Sequence, residues 1–293
     1  MRGARTTRLR ASPGRTRTLA FTAQPLAFTA RTQDDLARCV VMLTREFTET
    51  AKVDGEDVEL WLRSPGRRRP RPKLARHVGS AFLVATERGG FLVTAAHVAR
   101  RMDAETTVSC GGRGGRRTSL RLADLIATRA RRPSWVLHPR ADVAVARIPD
   151  PPPVLRGRFL AAELLATESV PPRALQLLIV GFPLGLTSER RFAPMTKRAQ
   201  VASGLVRFGT DETAPADFFL LDQPTMGGSS GGPVFIAPQV QFDVAGRMSI
   251  VRPRCVGLVS QTISDEAGGQ FAAIVPARAI RRMLQRARAS RRR

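Results

Sequence analysis

At 293 residues, 43% of them hydrophobic and 25% charged, the chain is long enough to bury a real core in one large domain or two modest ones. No apolar run approaches the roughly 20 residues that a membrane-crossing helix needs, so membrane-spanning and coiled-coil classes drop out. The 48 Lys and Arg residues against 24 Asp and Glu give a net charge of +24, which points toward nucleic acid until the charge is located.

Residues 1–18 hold six Arg, residues 63–76 six Arg and Lys73, and residues 278–293 eight Arg, with no Asp or Glu in any of these stretches. Those 21 charges leave 27 basic against 24 acidic residues elsewhere, so the body of the chain is near neutral. Solvated basic ends are the plain reading. A patch for nucleic acid or an anionic surface is the sharper one, although the stretches lack the interleaved aromatics on which single strands stack. The first 33 residues lack the apolar content to repay their ordering entropy and read as a disordered basic tail. Within them, LAFTAQPLAFTA at 19–30 follows basic residues as an export signal would, but Thr22, Gln24, Pro25 and Thr29 interrupt it. The reading is a cytoplasmic protein, with a degenerate export signal as the alternative.

From residue 35 the pattern becomes strand-like. Asp54-Gly55 lies between REFTETAKV and EDVELWL, and Gly89-Gly90 between SAFLVAT and FLVTAAHV, both as hairpin turns. SPGRRRPRPKLAR at 64–76 reads as a surface loop, and PDPPPV at 149–154 as a stiff connector between two groups of strands. Short runs rich in β-branched residues follow, among them DVAVARI, LQLLIVGF, PVFI and CVGLVSQTI. After Pro276, Ile280, Met283, Leu284 and Ala287 recur at i, i+3, i+4 and i+7, which predicts a terminal helix with one apolar face. Cys39, Cys110 and Cys255 are odd in number and lack C-x-x-C spacing, so free thiols are expected, with neither a disulfide framework nor a zinc site.

Three segments carry chemistry. TMGGSSGGPVF at 225–235 could be a spacer, but a spacer rarely runs straight into Pro233 and a buried strand. As a nucleophile loop, its glycines let the N–H groups of Gly228 and Ser230 converge on one point beside the Ser230 hydroxyl. His97 follows a strand in FLVTAAHVAR and is one of three histidines, with His77 and His138; by itself it reads as structural. Asp142 precedes the strand of LHPRADVAVARI and by itself reads as an ordinary turn residue. Together they stand in the chain order His, Asp, Ser, which is that of the chymotrypsin-type triad and not of subtilisin or the α/β-hydrolases.

Through GSAFLV, LVTAAHV, DVAVARI, GFPLG, ASGLV, GGSSGGPVF and CVGLVSQ, in that order over about residues 77–285, the sequence resembles the trypsin-like serine peptidases, and within them the bacterial HtrA/Deg-type peptidase domains. The resemblance implies His97 as general base, Asp142 as its orienting partner, Ser230 as nucleophile, and the amides of Gly228 and Ser230 as oxyanion hole. It makes Ser260 a further support of Asp142 and, with Gln261 and Thr262, the start of a strand that pairs with substrate. It places Pro224 and Thr225 at the base of the primary pocket, where neither offers a carboxylate to a basic side chain. Val98 stands where the trypsin branch has a cysteine, and Ser229 where zymogens carry an activation aspartate. No PDZ module is expected after the domain.

The sequence therefore predicts an all-β fold of two antiparallel six-stranded barrels, 34–150 and 155–275, with a basic tail at 1–33 and a basic helix and tail at 276–293. The expected function is a serine endopeptidase acting on protein or peptide, with no metal or organic cofactor. A trypsin fold retired from catalysis and kept as a binding module stays open, as does a basic-tailed protein associating with nucleic acid or anionic surfaces.

Overall fold

The computed structural model describes residues 36–53, 56–62, 71–129, 132–187, 191–210, 213–242 and 247–289. The basic tail at 1–33, the Asp54-Gly55 turn and most of the Arg-rich loop therefore lie outside the described residues. The strands flanking Asp54-Gly55 do pair, with Val53 opposite Glu56.

The first sheet contains β1 (Val40–Thr48), β2 (Leu74–Thr86), β3 (Gly89–Thr94), β4 (Thr107–Gly111), β5 (Arg117–Arg121), β6 (Val136–Leu137), β7 (Ala144–Ile148) and β8 (Leu160–Ala161). Their order is β6-β7-β3-β2-β1-β4-β5, with β8 added in parallel beside β2. The second sheet contains β9 (Leu177–Gly181), β10 (Met195–Ala199), β11 (Val201–Thr210), β12 (Thr213–Leu221), β13 (Pro233–Ile236), β14 (Cys255–Ser264) and β15 (Gln270–Pro276), in the order β10-β9-β13-β14-β15-β12-β11. The fold is all-β, as the strand pattern implies. The sheets have eight and seven strands where six each were expected, and their hydrogen-bonded order stays open at the ends. Two of the end strands, β5 and β10, carry Arg117, Arg121, Lys197 and Arg198, charges that discourage pairing with another chain.

Three local readings need correction. The hairpin between β2 and β3 turns at Glu87-Arg88, and Gly89 and Gly90 belong to the strand. Gly90 is required there by packing, because a Cβ would stand 2.5 Å from the buried Phe159 ring. Part of the Arg/Pro-rich stretch is strand, not loop: Arg71–Pro72 pairs with Trp61–Leu62, and Leu74 opposes Thr48 in β1, whose nine residues need a partner along their whole length. Leu160–Ala161, in the span assigned to the second unit, pairs with the first sheet.

Aromatic side chains fill the core: Phe82, Phe91, Phe159, Phe182, Phe219 and Phe235 are all fully buried. Three helices are labelled here, α1 (Ala96–Arg100), α2 (Leu122–Leu125) and α3 (Ala277–Ala289). The expected apolar face of α3 is buried at Ile280, Met283 and Leu284, and it packs on both β7 and β14. On another side of α3 the Arg281 guanidinium donates to the carbonyls of Leu165 (3.0 Å) and Ala162 (3.4 Å), so the helix also holds the segment that follows β8. All three cysteines are buried and free. Burial pushes the thiols up, that of Cys255 to about 12, so they stay protonated and unreactive. Among the described residues no helix is long and apolar enough to cross a membrane.

Truncating Ile280 to Ala is expected to destabilise the protein by about 2–5 kcal/mol through lost burial and the cavity left behind. Gln285→Ala on the exposed face of α3 should stay within about 0.5 kcal/mol. Urea denaturation measures both, and equal costs at the two positions would contradict this packing.

Candidate active site

β3 ends at Thr94, and α1 begins two residues later, where buried Ala95 and Ala96 let the chain turn tightly and present His97. Asp142 comes from the loop before β7. That loop is closed on itself: His138 Nδ1 accepts the N–H groups of Arg140 (3.1 Å) and Ala141 (2.8 Å), and the His138 N–H donates to the Val143 carbonyl (2.8 Å). Three donors converge on the Asp142 carboxylate. The His97 N–H reaches Oδ1 at 2.9 Å, His97 Nδ1 reaches Oδ2 at 2.8 Å, and the Ser260 hydroxyl reaches the same oxygen at 2.6 Å. Burial works to raise the Asp142 pKa, but the hydrogen bonds and charge of His97 and the Ser260 hydroxyl outweigh it, so the carboxyl titrates below its ordinary range. An ionised Asp142 accepts from Nδ1, which leaves the lone pair of His97 on Nε2, the ring nitrogen away from the aspartate.

Ser260 owes its aim to a bulge. Val259 opposes Ile274 and Gln261 opposes Ala273, so Ser260 is an extra residue in β14 that tilts its side chain across to the first sheet. β13 pairs with β14 only as far as Leu258; beyond it the Ser230 loop takes over, with the Gly231 N–H donating to the Val259 carbonyl at 2.8 Å and the Val259 N–H to the Gly232 carbonyl at 2.9 Å.

Ser230 stands on a loop shaped by positive φ at Gly228 (90°) and Gly231 (84°). A Cβ on Gly231 would strike the Ser80 carbonyl and the Thr94 hydroxyl, so no other residue fits there. The Gly227 carbonyl accepts from the Leu184 N–H at 2.6 Å, and the Gly228 carbonyl accepts from the Ser80 hydroxyl at 2.7 Å. With both carbonyls so engaged, the N–H groups of Gly228 and Ser230 have no protein acceptor among the described residues. The Ser230 hydroxyl donates to the Ser260 carbonyl at 2.9 Å rather than to His97.

At the expected primary pocket, Thr225 and Thr262 are bound to one another. The Thr262 hydroxyl donates to the Thr225 carbonyl (2.8 Å) and accepts the Thr225 N–H (3.1 Å), and the two hydroxyls lie 2.9 Å apart. The Pro224 carbonyl accepts from Lys197 Nζ at 2.8 Å. Gln261, between Ser260 and Thr262, is half-buried on β14.

Sequence reasoning missed Ser80. It is fully buried, and each of its polar groups is used: its N–H donates to the Ser230 carbonyl (2.9 Å), its carbonyl accepts from the Thr94 hydroxyl (2.7 Å), and its hydroxyl accepts the Phe182 N–H (2.9 Å) while donating to Gly228. In GSAFLV it reads as one more strand residue, and no signal in a single sequence marks it otherwise.

Two packed β-sheets with this His–Asp–Ser arrangement between them define the architecture of a trypsin-like protease. The family model for the trypsin-like peptidase domain matches residues 79–239, more than half of the chain, and the chain belongs to that family. No curated protein matches it. Among solved structures it is similar to the scabies mite inactivated protease paralogue S-I1, with 11% identity, 86% of this chain and 95% of that one covered, and a TM-score of 0.51. It is also similar to the active form of the Rv3671c protease from M. tuberculosis (16% identity, 85% and 81% covered, TM-score 0.47). A third is the MamO protease domain from Magnetospirillum magneticum (17% identity, 83% and 94% covered, TM-score 0.46). At these identities the likeness concerns the fold alone.

Replacing Ser80 with Ala leaves the Phe182 N–H and the Gly228 carbonyl buried without their partner, an expected loss of about 1–3 kcal/mol in stability. Chemical denaturation measures it, and an unchanged midpoint would mean that water or a shifted loop serves both groups instead.

Proposed function

We propose that this protein is a serine endopeptidase in which Ser230, His97 and Asp142 form the catalytic triad and the N–H groups of Gly228 and Ser230 the oxyanion hole. One observation carries the reading: a half-buried carboxylate holds the Nδ1 side of His97 and the hydroxyl of Ser260, whose carbonyl in turn holds Ser230, so Nε2 is left free to accept a proton near that serine. A retired site has no physical need to keep these groups and the two free N–H donors together.

The Ser260 carbonyl is where the substrate main chain is expected to pair, and at rest it holds the Ser230 hydroxyl. A substrate N–H that takes this acceptor releases the hydroxyl, which swings about its Cα–Cβ bond toward His97 Nε2. Ser230 Oγ then attacks the scissile carbonyl carbon as its proton passes to Nε2, and Asp142 stabilises the imidazolium that results. The carbonyl oxygen, now negative, receives the Gly228 and Ser230 N–H groups. His97 returns the proton to the leaving amine, the C–N bond breaks, and an ester to Ser230 remains. Water attacks the ester through the same base and restores the serine. These steps are complete with the chain's own residues.

A fluorophosphonate probe should label the protein at Ser230, and Ser230→Ala should abolish labelling and lower peptide turnover on the order of 10⁶-fold. Transfer of the label to Ser229 would reassign the nucleophile. Asp142→Asn should cost about 10⁴ in kcat by favouring the wrong His97 tautomer; a near-normal rate would give its role to another group.

Cleavage is expected after small or medium aliphatic residues. A Lys or Arg side chain would meet no carboxylate from Pro224 or Thr225, and an unpaired cation in a water-poor pocket costs several kcal/mol. A Phe or Trp side chain would have to part the hydroxyls of Thr225 and Thr262. Sequencing the cuts made in a peptide library tests this, and predominant cleavage after Arg or Lys would overturn it. Thr262→Gly, which removes the bridge, should shift selectivity toward larger residues by about tenfold or more in kcat/KM.

A further inference from the structure

The body of the chain is near neutral in sum, but its charges are not spread evenly. Where the 138–141 loop, strands β11 and β12, and α3 meet, the surface forms a concavity of about 220 Å³. Arg140, Arg207, Arg278, Arg282 and Arg286 line it together with His138. Asp217 is the one carboxylate in this lining among the described residues, and it is taken by Arg278 at 3.3 Å. Arg140, Arg207, Arg282 and Arg286 have no carboxylate within ion-pair distance among the described residues. Asp211 and Glu212, between β11 and β12, lie outside the described residues.

Four guanidinium groups drawn around one small hollow repel each other, and all four residues are exposed, outside the buried core. His138 registers the field. Its own burial, and then Arg286, Arg282 and Arg140, hold its imidazole below the ordinary histidine range. A ligand that relieves such a site must concentrate several negative charges in a small volume and offer paired oxygens to planar forks. Phosphate groups do both, because a guanidinium meets two phosphate oxygens at once. A carboxylate peptide spreads its charge more thinly along a chain. A nucleic-acid single strand is disfavoured because, among the described residues, no Phe or Trp lines the hollow for bases to stack on.

We propose that this concavity is a binding site for a condensed phosphate, a short chain of linked phosphate groups held by Arg140, Arg207, Arg282 and Arg286. None of the proposed triad residues lines it, although its 138–141 loop leads directly into Asp142, and the proposal does not rest on the peptidase reading.

The test is calorimetric titration of the full-length chain with sodium tripolyphosphate. Saturable binding that weakens with added salt is expected. The Arg207→Ser/Arg282→Ser double variant should bind about tenfold more weakly or worse, since charge-assisted bonds are lost. A charge-matched control, Arg156→Ser/Arg173→Ser, should keep the affinity, which separates the site from the general attraction of the basic ends. As a second readout, the NMR titration midpoint of His138 should rise when tripolyphosphate is bound, because the anion offsets the surrounding guanidinium charges. Equal weakening in both double variants, or an unmoved His138 midpoint at saturation, would overturn the proposal. Tighter binding of an oligonucleotide or a poly-glutamate peptide at the same residues would also overturn it, in favour of that partner.

Discussion

The meeting of the two sheets turns on Ser80. Its N–H, carbonyl and hydroxyl make four hydrogen bonds in a place with no access to water, two of them to the backbone on either side of Ser229. Buried polar groups are tolerable when every one is satisfied, and each partner then becomes hard to move. The glycines of the Ser230 loop, and Gly181 at the end of β9, follow from this arrangement. A Cβ on Gly181 would approach the Ser80 hydroxyl at 2.8 Å, one on Gly231 would strike the Ser80 carbonyl, and one on Gly232 would strike the Val180 carbonyl. The Gly-rich stretch is thus rigid because of what surrounds it, although the same composition free in solution would be a flexible spacer.

Asp142 extends the same logic to the other side of the site. Its carboxylate is bound by His97 from the first sheet and by Ser260 from the second. Helix α3 lies behind both, packed on β7, which follows Asp142, and on β14, which carries Ser260. The geometry of the site therefore exists when the two sheets are docked, and its stability is that of the interface.

His97, Asp142 and Ser230 were legible because each lies in a short motif and their order along the chain is informative. The all-β class and the terminal helix were legible from periodicity, which burial of Ile280, Met283 and Leu284 reflects directly. What escaped depends on contacts distant in sequence. The Thr225–Thr262 bridge joins residues 37 apart, and the Ser80–Gly228 bond joins residues 148 apart. The bulge at Ser260 leaves no trace in a run of strand-forming residues. Gly89-Gly90 misled because a glycine pair reads as a turn, whereas here one of the two makes room for Phe159. The grouping of Arg140 and Arg207 with α3 was hidden for the opposite reason: a net-charge sum over the body of the chain averages it away.

The three buried thiols have a use that does not involve chemistry in the folded state. Cys110 lies in β4 of the first sheet and Cys255 in β14 of the second, while Cys39, just before β1, is close enough to Cys255 that the second thiol adds to the rise of its pKa; all three are shielded from solvent and protonated. A thiol reagent can reach them when the surrounding strands separate, so their rates of modification are built-in clocks for opening. Mass spectrometry that resolves the three positions would compare Cys110 in the first sheet with Cys255 in the second, with Cys39 reporting on the contact between them, and without an introduced label. A shared rate means the sheets open as one unit; different rates mean that one can come apart while the other holds.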